Sequence, residues 1–130
     1  MTWLERYGPA IVVANAGMAF MAAHFAVVVW SGGSPVTPEI YGTAVYAVPA
    51  IFWAGLQFSV HVAAVVGAGR GSAPITIVGG LGGVCVHGSF AALAGLAEQG
   101  TLLQAGAMWV TLPLCIATLF AGIGGLGNGR

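Results

Sequence analysis

Three arginines and three glutamates are the only formal charges in this chain of 130 residues, and all six fall outside four long apolar stretches. A helix needs about 20 mostly apolar residues to cross about 30 Å of hydrocarbon at about 1.5 Å per residue. The stretches from Pro9 to Trp30, Thr43 to Val66, Ile75 to Ala97 and Leu102 to Ile123 each meet that length. The spacing therefore predicts an all-α polytopic membrane protein, a four-transmembrane-helix up-down bundle forming a single domain over residues 1–130. Short breaks rich in Gly, Pro and Ser separate the stretches, and short loops make sequential helices antiparallel neighbours.

Composition supports lipid as the solvent. The chain is 58% hydrophobic and 5% charged, where an ordinary soluble domain carries roughly a quarter charged residues. A water-facing surface built from it would expose apolar patches larger than soluble monomers carry. Three arginines give no basic footprint for nucleic acid and no cluster for anionic lipid headgroups. The first apolar stretch exceeds the hydrophobic region of a secretory leader and no A-x-A site follows it, so it is read as a span.

Arg6, Arg70 and Arg130 fall on one side of a four-span topology, and Glu39 and Glu98 on the other. The positive-inside rule then places both termini in the cytoplasm, in a cell inner membrane. Trp3, Tyr7, Trp30 and Tyr41 flank the first span and first loop, where aromatic residues anchor at the lipid–water boundary.

Helices in lipid associate through close packing and interhelical hydrogen bonds. Gly79, Gly83, His87, Ala91 and Gly95 recur every four residues, which predicts a packing stripe on the third helix. Ala10, Ala14, Ala22 and Ala26 form a similar line on the first. Pro49 and Pro113 fall inside the second and fourth spans and are expected to kink them. Cys85 and Cys115 show no metal-finger spacing and are read as buried, inert thiols.

No span holds Asp, Glu, Lys or Arg, which removes the usual marks of ion-coupled transport. Asn15, Gln57, His61, His24 and His87 remain as candidates for a polar pathway. Counting depth along each span puts Asn15, Gln57 and His61 in the inner half and His24 with His87 nearer the centre and outer half. On that count His24 and His87 are the pair able to ligate a haem b, with His61 too deep to join them. No other cofactor or metal is expected.

In length and span number the chain is similar to small multidrug-resistance transporters, fluoride channels and phage holins. The run Gly79-Gly80-Leu81-Gly82-Gly83 with Phe90 resembles the glycine break of the fluoride channels. The transporters' first-helix carboxylate and the channels' first-helix arginine are missing, so no residue role carries over. The leading expectation is a non-enzymatic, self-associating or accessory membrane subunit, holin-like in character, whose partners are the lipid bilayer, itself or other membrane proteins. The alternative is a small channel or transporter for an uncharged or weakly charged solute. A haem-binding redox subunit comes third.

Overall fold

The computed structural model describes residues 2–32, 49–95 and 102–127, with residues 50, 90, 93–95 and 102–109 described by backbone alone. All regular structure among them is helical: α1 (Trp3–Trp30), α2 (Ala50–Gly69), α3 (Ala73–Gly95) and α4 (Leu102–Leu126). Trp3–Trp30 and Ile51–Gly69 are long and apolar enough to cross a membrane; Ala73–Ser89 and Val110–Leu126 are shorter apolar helices among the described residues.

α1 starts six residues before the expected Pro9 because Thr2 and Glu5 form a capping box. The Thr2 hydroxyl accepts from the Glu5 backbone N–H at 2.9 Å, and the Glu5 carboxylate accepts from the Thr2 N–H at 2.6 Å. Two otherwise orphaned donors are thereby satisfied. Pro9 consequently lies within the helix rather than at its start. α2 begins later than expected, at Ala50, with Pro49 as its N-cap. Pro49 thus starts the helix instead of kinking it, because a proline at a helix start forfeits no internal hydrogen bond. Residues 43–48, which the sequence assigned to this span, lie outside the described residues. Pro113 does lie inside α4.

α2 and α3 are joined by Arg70, Gly71 and Ser72 in a Schellman turn. Ser72 N–H donates to Gly67 O at 2.8 Å and Gly71 N–H to Ala68 O at 3.2 Å. Gly71 has φ of +64°, a left-handed value that a residue without Cβ adopts at no steric cost.

The helices pack in a ring, α1 on α2, α2 on α3, α3 on α4 and α4 on α1, with the α1–α4 seam the thinnest. Every seam is antiparallel: Gly8 lies against Ala68, Gly79 against Ala64, Gly80 against Leu119 and Gly125 against Leu4. Arg6 and Arg70 therefore share one end of the ring. α1 buries Leu4, Gly8, Ile11, Asn15, Ala19 and Ala22. Of the alanine line anticipated on this helix only Ala22 is buried; Ala26 is half-buried, and Ala10 and Ala14 are exposed.

α3 runs unbroken through Gly79–Gly83. A Cβ on Gly79 would stand 2.5 Å from Ala64 N of α2, and one on Gly83 2.5 Å from Cys115 Sγ of α4. The two glycines thus admit different neighbours, one a backbone and one a side chain. Ala91 is half-buried; Gly95 ends α3, its surroundings outside the described residues. Trp3, Tyr7 and Trp30 are all exposed; Tyr41 lies outside the described residues.

A candidate polar centre

Six polar side chains are buried among the described residues, and four of them join in one hydrogen-bonded line across all four helices: Asn15 of α1, His61 of α2, His87 of α3 and Thr118 of α4. Asn15 and His61 are 1% exposed, His87 2% and Thr118 0%, so all four lie away from bulk solvent.

The direction of each bond follows from one fixed end. The Thr118 hydroxyl donates its single proton to Leu114 O at 2.8 Å. It can then only accept from Asn15 Nδ2, at 3.1 Å. The second Nδ2 proton goes to Ile11 O at 3.0 Å. With both amide protons used, Asn15 turns its carbonyl oxygen to His61 Nδ1 at 2.7 Å. An amide oxygen only accepts, so His61 carries its proton on Nδ1 and leaves Nε2 a bare lone pair. That lone pair faces His87 Nε2 at 3.0 Å. His87 accordingly carries its proton on Nε2 and donates it. Its Nδ1 is left a buried lone pair with no hydrogen-bond partner among the described residues.

The meeting of His61 with His87 corrects the depth count, which placed them too far apart to share a site. In the α2–α3 hairpin, Val60 lies beside Gly82 and Ala64 beside Gly79, so His87 sits about five residues, or about 7 Å of rise, beyond the level of His61. Helical side chains lean toward their own N-terminus. In an antiparallel pair those leans converge, which closes the gap. Counting backbone positions alone misses it.

Cys115 is the residue the sequence reading left unconnected. It is buried as expected, at 2% exposure, but one potential ligand atom from each of His61, His87 and Cys115 lies within 4.8 Å of the others. Gly83, one turn before His87, makes the space that the Cys115 sulfur occupies. Cys85, in contrast, is exposed on the outside of α3.

The remaining candidates do not join this centre. His24 is exposed on α1, so the structure brings His61, and not His24, to His87. Gln57 is half-buried one turn before His61, whose two ring nitrogens are already engaged by Asn15 and His87. The facing Nε2 atoms of His61 and His87 are in direct contact and leave no room for a macrocycle between them. No protein-family model matches the chain, and no curated protein or solved structure matches it either.

Proposed function

We propose that this chain is a non-enzymatic, four-span inner-membrane protein with both termini cytoplasmic, acting as a self-associating or accessory subunit. The single observation that carries the reading is how the centre is filled. Asn15, Thr118, His61 and His87 are joined to one another in a single hydrogen-bonded line, which favours tying four helices together over lining a passage for a solute. Interhelical bonds of this kind average about 0.6 kcal/mol each in lipid, but a polar group left unmade there is costly.

Self-association is favoured by the outer face of the α1–α4 seam. Ala10, Ala14, Ala117 and Ala121 line an apolar groove there together with Tyr7 and Phe120. A second copy related by a two-fold axis would bring the same groove face of each chain together. Small residues permit the close backbone approach that holds helices together in lipid.

The test is cross-linking in native membranes with Ala117→Cys in a Cys85→Ser background. A covalent dimer from that variant, and none from Val78→Cys on the far face of α3, supports the proposal. Monomer from both overturns it. Solute flux in liposomes that depends on Asn15 and His61 would favour a channel instead.

A further inference from the structure

We infer that His61, His87 and Cys115 form a three-coordinate site for a soft monovalent cation, copper(I), at the centre of the helix ring. The inference stands on the donor set and its surroundings and does not depend on self-association.

The first argument is that His61 is already arranged as a ligand. Metal-bound histidines almost always donate their other ring N–H to an oxygen, which fixes tautomer and orientation. His61 does so through Nδ1–H to Asn15 Oδ1 at 2.7 Å, with the Asn15 amide locked by Ile11 O and Thr118. The Nε2 lone pair is thereby held toward His87, in a cluster where one ligand atom each of His61, His87 and Cys115 lies within 4.8 Å of the others.

His87 supplies the second observation. Its buried Nδ1 lone pair has no partner among the described residues. Binding of an ion at Nε2 displaces the proton there, and the unpartnered Nδ1 is the nitrogen on the same ring able to take it. The orphaned lone pair becomes an N–H, and Nε2 becomes a ligand. The Nε2–Nε2 separation of 3.0 Å must open to about 3.5 Å when both atoms bind a metal at about 2.0 Å. A small ring rotation supplies that movement.

Charge selects the ion. Cys115 binds as a thiolate, releasing one proton to solvent as the copper–sulfur bond forms. One thiolate, two neutral imidazoles and a monovalent ion sum to zero. A divalent ion in the same set leaves an uncompensated positive charge, and no carboxylate stands among these ligands to cancel it. Uncompensated charge is expensive at membrane depth. Thiolate with imidazole is also a donor set that suits copper(I) by softness.

The experiment uses the full chain in detergent under anaerobic, reducing conditions, titrated with copper(I) against bicinchoninate as competing chelator. One copper(I) per chain is expected. Cys115→Ser and His87→Gln should each weaken binding at least 100-fold, Asn15→Leu 10- to 100-fold, and Cys85→Ser not at all. X-ray absorption on the wild-type protein decides the matter even where a variant fails to fold: one sulfur and two nitrogen neighbours are expected. A shell without sulfur, copper binding unchanged in Cys115→Ser, or zinc(II) retained as tightly as copper(I) overturns the assignment.

Discussion

His87 Nε2 lies 3.0 Å from His61 Nε2, and only one of the two nitrogens carries a proton. The bond therefore has a direction, and that direction is imposed from the far side of the ring by Thr118 and Asn15. A fixed tautomer pair follows. Nitrogen NMR of the labelled protein should show His61 protonated on Nδ1 and His87 on Nε2. Replacing Asn15 with Leu removes the acceptor at His61 Nδ1, and His61 should then populate both neutral tautomers. The same tautomers in wild type and Asn15→Leu would mean that Asn15 does not orient the ring.

The same substitution should cost stability. Asn15→Leu removes three hydrogen bonds and leaves the His61 Nδ1–H buried without a partner. Interhelical bonds in lipid average about 0.6 kcal/mol, up to about 1.7, and a stranded buried donor costs about 1–3 kcal/mol. A loss of about 2 kcal/mol is expected in reversible unfolding by a denaturing detergent. A change under about 0.5 kcal/mol would show that the line contributes nothing to holding the ring together.

The glycines of α3 should divide by what faces them. Gly83→Ala drives a methyl against Cys115 Sγ, a side chain, whereas Gly79→Ala drives one against Ala64 N, a backbone atom. Overpacking of this kind costs about 1–3 kcal/mol. Trimming the neighbour with Cys115→Ala should recover most of the loss in the Gly83→Ala background. No side-chain trimming should rescue Gly79→Ala. Gly17, Gly55 and Gly88 have open space where a Cβ would go, so alanine there should be neutral or stabilise by up to about 1 kcal/mol through helix propensity. A double-mutant cycle measures the Gly83–Cys115 coupling directly.

Much of the architecture was legible in the sequence because charge is so sparse: the four apolar stretches overlap the four helices. The ends were less legible. Thr2 with Glu5 extends α1 past the hydropathy boundary, and Pro49 acts at a helix start, a role that hydropathy does not register. Of the polar centre, Asn15, His61 and His87 were visible as polar residues in apolar stretches. Their union was not, because backbone counting ignores the opposed lean of side chains in an antiparallel pair. Thr118 and Cys115 were invisible as partners for a different reason. Which face of α4 meets α3 depends on where the glycines let it approach, and one helix's own pattern does not carry that information. His24 shows the converse: a histidine in an apolar stretch that faces outward.

Topology gives the last expected outcome. Arg6 and Arg70 sit at the same end of the ring, since Gly8 packs against Ala68 and the Schellman turn follows at once. Cysteine at Thr2 or Ser72 should therefore react with a membrane-impermeant thiol reagent from one side only, and from the same side. Under the proposed orientation, which rests on the arginine bias, that side is the cytoplasm. Native Cys85 is exposed near the middle of α3; under the proposed four-span arrangement it faces lipid, so it should stay unlabelled in intact membranes. Cys115 should stay unlabelled because it is buried. Detergent ought to separate the two, exposing Cys85 to labelling while Cys115 remains protected. Labelling of Cys85 in intact membranes would place α3 in water and sink the four-span reading. Labelling of Thr2→Cys and Ser72→Cys from opposite sides would break the antiparallel pairing of α1 with α2.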